Sequence, residues 1–98
     1  MRGIFAAHAL ASELELVQTC SSCPEQYDVF HNGEKVGYMR LRNGTFRVEC
    51  PDCGGELVYL SESYRAGAGS FRDEYERKTN LDWAKRAIAG WILNKEGW

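Results

Sequence analysis

Short runs of alternating apolar and polar residues fill the chain between residues 13 and 60. Alternation with a period of two is typical of strands with one buried face. Asn-Gly pairs stand at Asn32-Gly33 and Asn43-Gly44, and both residues of such a pair tolerate the positive φ of a tight hairpin turn. The pattern predicts an antiparallel meander sheet of about four strands. The strand-like runs are residues 13–19, 26–30, 36–42, 45–49 and 56–60.

The second Asn-Gly pair sets the partners of the strands beside it. A two-residue turn at Asn43-Gly44 places Arg40 opposite Arg47. One face of the hairpin is apolar and is expected to be core: Met39, Leu41, Phe46 and Val48. The other face is polar and locally cationic: Tyr38, Arg40, Arg42, Thr45, Arg47 and Glu49.

The first Asn-Gly pair is compatible with two registers. A two-residue turn sends Tyr27 and Val29 to the polar face. A three-residue loop over residues 32–34 instead places them on the core face, beside Gly37 and Met39. A slip of one residue exposes a whole apolar set, so the longer loop is favoured.

A period of three to four residues replaces the alternation near the end of the chain. Residues 71–95 are predicted to be helical, with an amphipathic helix laying its apolar stripe on the sheet. Ser70-x-x-Asp73 is a helix-start pattern, and so is Thr79-x-x-Asp82. The predicted stripe consists of Leu81, Ala84, Ile88, Trp91 and Lys95.

The remaining segments complete one predicted domain of the α+β class, because 98 residues leave room for a single core. Residues 61–70 read as a loop, and residues 1–12 as a short helical or extended lead-in. The apolar run of the lead-in imitates a signal peptide, but it is short and His8 interrupts it. The side chains expected to pack there are Ile4, Phe5 and Leu10.

Composition and charge narrow the function classes. A chain with 27% charged and 44% hydrophobic residues is ordinary for a globular protein. The net charge of -2 argues against a surface built as a whole to hold nucleic acid, although a local basic patch stays open. No run approaches the roughly 18 apolar residues of a membrane span, so a cytoplasmic protein without a membrane partner is expected.

Two Cys-x-x-Cys pairs carry the clearest chemistry of the chain. Each pair can curl so that its sulfurs converge, and two pairs complete the tetrahedral shell that Zn²⁺ prefers. Residues 24–49 separate the pairs, and a three-strand meander running out and back is expected to absorb that gap. The predicted cofactor is one structural zinc ion, held in zinc-ribbon-like knuckles by Cys20, Cys23, Cys50 and Cys53.

Other uses of the cysteines stay open. Two disulfides or a redox Cys-x-x-Cys are alternatives, although a reactive pair usually opens a helix and these pairs end strands. His8 and His31 fit surface or turn positions better than a metal shell. Serine and carboxylate residues are plentiful, but no nucleophile-elbow, His-x-Glu or phosphate-loop pattern accompanies them. An enzyme acting on a small molecule is therefore not expected.

The cationic hairpin face supplies the candidate partner-binding residues: Tyr38, Arg40, Arg42 and Arg47. Arg40 and Arg47 side by side are unfavourable unless an anion or a partner lies between them. The alternative is that nearby carboxylates neutralise the arginines. The candidates for that role are Glu34, Glu49, Asp73, Glu74 and Glu76.

Three motifs mark the central stretch of the chain: Pro24-Glu-Gln-Tyr27, Tyr38-x-Arg-Leu-Arg-x-Gly44, and Gly67-Ala-Gly-Ser-Phe71 before a charged helix. In these motifs the chain resembles a family of short uncharacterised bacterial and phage proteins, with one residue shifted in the third motif. The likeness covers about residues 23–90. The resemblance implies a bacterial or phage protein and brings no particular activity.

The predicted function is that of a small, zinc-stapled, non-enzymatic adaptor or regulatory protein that binds another protein, for example as a phage or host antagonist. The slightly acidic, aromatic-bearing surface favours this hypothesis. A nucleic-acid-binding module that uses the cationic, aromatic sheet face is the first alternative. A thiol redox protein is the second.

Overall fold

The computed structural model describes residues 2–19, 25–62 and 69–96, and its fold is α+β. The described strands form one antiparallel sheet in the order β1-β2-β3-β4-β5. This confirms the predicted class and meander, with five strands where about four were expected. The elements are α1 (Arg2–Ser12), β1 (Glu15–Gln18), β2 (Gln26–His31), β3 (Glu34–Arg42), β4 (Thr45–Cys50), β5 (Glu56–Glu62) and α2 (Glu74–Lys95).

The β3–β4 hairpin has the predicted register. Its turn is Asn43-Gly44, and both residues have positive φ, 54° and 81°. Arg40 is therefore paired with Arg47. The apolar side chains on the other face are buried, as predicted: Met39, Leu41, Phe46 and Val48.

The β2–β3 hairpin has the predicted neighbours but not the predicted loop. Tyr27 pairs with Met39, so the core-facing register is confirmed. The turn nevertheless has two residues, Asn32 and Gly33, with φ of 53° and 83°. A register shift between Val29 and Phe30 absorbs the extra residue. Because a bulge corrects the register within the strands, the core-facing register does not require the longer loop.

Helix α2 covers one face of the sheet and packs on β3, β4 and β5, while α1 packs on α2. Ala84 and Ile88 of α2 are fully buried in the same cluster as Phe46. The approach is close at Gly37, where a Cβ atom would lie 2.8 Å from Ile88 Cδ1. The ring of Phe46 also contacts Phe71 edge-on, with centroids 5.1 Å apart.

The start of α2 corrects the predicted helix-start patterns. Asp73 is the N-cap, and its carboxylate accepts the backbone N–H of Glu76 at 2.9 Å. The Glu76 carboxylate in turn accepts the backbone N–H of Arg72 at 2.6 Å. Neither Ser70 nor Thr79 begins the helix, because Asp73-x-x-Glu76 provides a reciprocal cap one turn after the first pattern. Thr79 lies inside the helix.

The apolar stripe of α2 is mostly as predicted. Ala84 and Ile88 are buried, and Leu81 and Trp91 pack against the core cluster. Lys95 is exposed, and the last turn instead buries Ile92 and Leu93. A long charged side chain at a stripe position keeps its ammonium group in water, so periodicity alone overestimated its burial.

The lead-in is helix α1, and its Leu10 packs against the core cluster as expected. The predicted packing of Ile4 and Phe5 lies outside the described side chains. Strand β5 runs to Glu62, two residues into the predicted loop, and residues 63–68 also lie outside the description. Neither described helix is long and apolar enough to cross a membrane.

Candidate functional site

The sheet face turned away from α2 brings the predicted partner-binding residues together. We call it the open face, because α2 packs on the other side of the sheet and α1 packs on α2. Pairing across the five strands places these residues on it: Glu15, Val17, Gln26, Asp28, Phe30, Lys35, Tyr38, Arg40, Arg42, Thr45, Arg47, Glu49, Leu57, Leu60 and Glu62.

Arg40 and Arg47 lie opposite each other at the centre of the open face. Gln26 flanks the pair on the β2 side and Leu60 on the β5 side. Tyr38 is two residues before Arg40 on the same strand face and is half-buried. The four predicted residues thus occupy one continuous surface, with Arg42 exposed at its end.

Apolar side chains are exposed at both edges of the open face. Leu60 and Leu57 on β5 are 50% and 42% exposed, and Val17 on β1 is 42% exposed. The register shift in β4–β5 places Leu57 and Leu60 on the same face, although a regular strand would turn residues three apart to opposite faces. Sequence alternation therefore missed this apolar pair.

Acidic neighbours compensate part of the cationic charge. Arg47 forms a salt bridge with Glu49 at 3.3 Å. The backbone N–H of Gly54 and then Arg47 lower the pKa of Glu49. Within the described ranges no salt bridge reaches Arg40 or Arg42. The helix carboxylates proposed as neutralisers pair elsewhere, with Arg72 and Arg77.

Over the whole open face the formal charges cancel. Four cations, Lys35, Arg40, Arg42 and Arg47, share it with four carboxylates, Glu15, Asp28, Glu49 and Glu62. Lys35 bridges Asp28 at 2.9 Å and Asp52 at 2.7 Å, and these carboxylates raise its pKa, Asp52 most strongly. The arginines therefore form a local cationic spot in a balanced surface.

The second cysteine pair lies in the β4–β5 connection, where its two thiols have different surroundings. Cys50 is 1% exposed and belongs to the apolar core cluster, whereas Cys53 is exposed. Burial, and to a smaller extent Glu56, raises the pKa of the Cys50 thiol to about 12. Both thiols are free, and the pair does not form a disulfide.

The connection around this pair is tightly curled. The backbone N–H of Cys53 donates to the Asp52 carboxylate at 2.7 Å, and that of Gly54 donates to Glu49 at 3.1 Å. Gly54 has a φ of 88°, and a Cβ atom on Gly55 would lie 2.3 Å from the Cys50 carbonyl oxygen. The backbone of this turn therefore favours glycine at both positions. The amides of Cys53 and Gly54 bind carboxylates.

Cys20 and Cys23 lie outside the described residues, and so does the first knuckle. The residues that flank them, Thr19 and Glu25, belong to the end of the sheet with the Asn43-Gly44 turn. Three strands, β2, β3 and β4, lie between the two pairs. Each antiparallel strand carries the chain to the other end of the sheet, so an odd number of strands ends opposite to where it began. The expectation that three strands run out and back was wrong on this point.

The separation follows from the register of the strands. The backbone N–H of Thr19 donates to Gln26, and Gln26, Arg40 and Arg47 lie opposite one another on β2, β3 and β4. Cys50 is three residues beyond Arg47 on β4. Across the sheet, three strand spacings of about 4.8 Å separate the two residues, and along the strands they are offset by three residues of about 3.3 Å. The Cα atoms of Thr19 and Cys50 are therefore about 17 Å apart. Two thiolates on one zinc ion sit within about 4 Å of each other, since each Zn–S bond is about 2.3 Å. The topology therefore weighs against one shell shared by both pairs.

Among the residues that the structure describes, no three His, Cys, Asp or Glu side chains are grouped so that they could hold a metal ion. His31 contacts Glu13 at 3.0 Å, and His8 is exposed on α1. His31 ends β2 beside the Asn32-Gly33 turn, so the two histidines occupy the turn and surface positions expected from the sequence.

One buried ionic cluster was not predicted. Glu25 is 1% exposed, and the Arg77 guanidinium binds both of its carboxylate oxygens, with Nε at 3.2 and 2.9 Å. The Tyr27 hydroxyl also donates to Glu25 at 3.0 Å. Glu25 and Tyr27 belong to the Pro24-Glu-Gln-Tyr27 motif, which was the available signal. Their partner is 52 residues away from Glu25, beyond any local pattern.

Comparison with known proteins adds no homologue to this description. No protein-family model, no curated protein and no solved structure matches the chain. The resemblance to short bacterial and phage proteins therefore stays a prediction.

Proposed function

We propose that the protein is a non-enzymatic adaptor or regulatory protein whose open face binds another protein. The observation that carries the proposal is the composition of that face. Tyrosine and arginine, the residues that most often dominate binding energy, lie at its centre, and exposed leucine and valine side chains lie at its edges. A phage or host antagonist acting in the cytoplasm is the specific form that we propose.

The charge balance of the open face favours a protein partner over a polyanion. Equal numbers of cations and carboxylates offer no net attraction to a phosphate backbone, whereas a protein surface can match both signs. Arg40 provides one strong anchor, because it has no salt bridge within the described residues and a partner carboxylate between Arg40 and Arg47 relieves their repulsion.

Site-specific crosslinking in the native host tests this proposal. A photoreactive residue at Leu60 should capture a partner, whereas the same residue at Asn94, exposed on α2, should not. Replacing Arg40 and Arg47 together by alanine should abolish the capture at Leu60. Capture that is equal at both positions, or that survives the double replacement, contradicts the proposal.

A nucleic-acid-binding module is the second candidate. The adjacent Arg40 and Arg47, with Tyr38 as a stacking surface and Arg42 nearby, are the observation that favours it. Binding of single-stranded RNA or DNA should then weaken steeply with salt, with a slope of about 0.7 per neutralised phosphate. A flat salt dependence, or no binding at low salt, removes this candidate.

Zinc bound by Cys20, Cys23, Cys50 and Cys53 stays a proposal. Because three strands separate the two pairs, the decisive test is whether both pairs hold the same ion. Native mass spectrometry of protein purified without added metal counts the zinc ions per chain. One ion that is lost both in Cys20→Ser and in Cys53→Ser means a shared shell. An ion that survives one of these changes means that a single pair holds it, and a folded chain without metal removes zinc.

A thiol redox protein is the weakest candidate. A reactive thiol needs a lowered pKa, whereas burial raises that of Cys50. Within the second pair, the exposed Cys53 would have to be the attacking thiol. Alkylation rates measured across pH distinguish a reactive thiol from an unreactive one. A redox pair requires rapid alkylation of one cysteine at neutral pH.

A further inference from the structure

A groove of about 340 Å³ lies between α1 and α2, away from the open face. Helix α1 contributes the residues of its last turns, and α2 contributes the middle of its exposed side. The lining side chains are His8, Ala11, Ser12, Asp82, Lys85 and Arg86. None of these lining residues is a cysteine or belongs to the open face.

The groove carries an excess of positive charge in an acidic protein. The Asp82 carboxylate is bound by Lys78, at 3.1 Å, so it is already neutralised. No salt bridge engages Lys85 or Arg86 within the described part of the chain. The whole chain has a net charge of -2, so a negatively charged group is attracted here against the overall balance.

An exposed tryptophan, Trp83, stands beside Arg86 at the edge of the groove. Trp83 is 53% exposed, which is unusual for the largest apolar side chain. The guanidinium of Arg86 lies 5.1 Å from the centre of its ring, within the range of a cation–π contact. The contact orients the guanidinium. A ligand therefore meets the apolar surface of the Trp83 ring next to the hydrogen-bond donors of Arg86. Tryptophan and arginine are the residues most enriched at binding hot spots.

We infer that this groove is a second docking site, which binds an acidic segment of a partner protein with one apolar side chain against Trp83. Carboxylates of the segment pair with Lys85 and Arg86, and Ser12 supplies a polar rim. A peptide fits better than a nucleic acid, because the two cations Lys85 and Arg86 match a few carboxylates. The acidic remainder of the chain repels a long polyanion. The inference does not depend on the open face.

Fluorescence anisotropy with the full chain tests the site. The probe is a labelled peptide of glutamates around a central phenylalanine, and the matched peptide has glutamine in place of glutamate. We expect saturable binding of the acidic peptide alone. Lys85→Gln with Arg86→Gln should weaken it about tenfold, since each of the two exposed charge pairs contributes about a factor of three. Trp83→Ala should weaken it about fivefold.

Lys95→Gln is the control, because it removes an exposed cation from the last turn of α2 and leaves both the groove and the open face intact. It should change the affinity less than twofold, well below the effect of the groove variants. An equal loss in Lys95→Gln means non-specific attraction and overturns the site. Absence of saturable binding, or tighter binding of a single-stranded oligonucleotide of equal charge, also overturns it.

Discussion

The two faces of the sheet share the same strands but treat charge in opposite ways. On the face under α2, the buried carboxylate of Glu25 is bound on both oxygens by Arg77. On the open face, Arg40 and Arg47 lie next to each other, and of these two only Arg47 has a salt bridge to a residue that the structure describes. Burial removes water, so an unpaired charge is tolerated only on the open side. The covered face therefore carries the stability, and the open face is available for recognition.

The largest difference between the faces should appear in the pair of neighbours Phe46 and Arg47. Phe46 is 1% exposed, so Phe46→Ala should lower the free energy of unfolding by about 4 kcal/mol through lost contacts and a cavity. Arg47→Ala, one residue along the strand on the open face, should change it by less than about 1 kcal/mol. Urea denaturation measures both. Similar losses would show that the two faces do not differ in this way.

The buried ion pair should give the next largest effect. Arg77→Ala leaves the Glu25 carboxylate buried without its cation, which should cost about 3 kcal/mol. Lys78→Ala removes an exposed cation on the same helix and should cost about 0.5 kcal/mol or less. Chemical denaturation at neutral pH compares the two variants.

A second variant separates charge from packing at the same site. If the unpaired charge causes the loss, Glu25→Gln should recover part of the stability of Arg77→Ala, because the neutral amide is cheaper to bury. No recovery would attribute the loss to the packing of the arginine stem.

The contact between sheet and helix is tested by two glycines. Gly37→Ala should destabilise the protein by about 1 to 2 kcal/mol, because the new methyl group would lie 2.8 Å from Ile88 Cδ1. Gly90→Ala should instead stabilise it by about 0.5 to 1 kcal/mol, since that glycine is exposed on α2 with open space around it. Thermal melting shows both shifts. A tolerated Gly37→Ala would mean that α2 moves easily on the sheet.

The smallest effect on stability is expected on the open face. Arg40→Ala combined with Arg47→Ala removes a like-charge pair and should leave the free energy of unfolding unchanged or raised by a few tenths of a kcal/mol. The same double variant should lose the partner in the crosslinking experiment. A clear loss of stability would show that the arginines are internal salt-bridge partners, and the binding role of the open face would fall.

Local patterns determined much of the fold. The alternation of apolar residues and the Asn43-Gly44 turn predicted the register of β3 and β4 and the core residues Phe46 and Val48. They succeeded because a two-residue turn couples its neighbours directly, and a slip of one residue would bury an entire polar face. The side-by-side arrangement of Arg40 and Arg47 followed from the same rule.

Features that depend on distant residues were decided only by the tertiary structure. The Glu25–Arg77 pair joins residues 52 apart. The register shifts in β2–β3 and β4–β5 set which residues share a face, and the alternation of apolar and polar residues does not reveal them. The cysteine spacing shows the same limit. Spacing along the chain can predict a knuckle, but whether two knuckles meet depends on the number of strands between them, because each antiparallel strand carries the chain to the other end of the sheet.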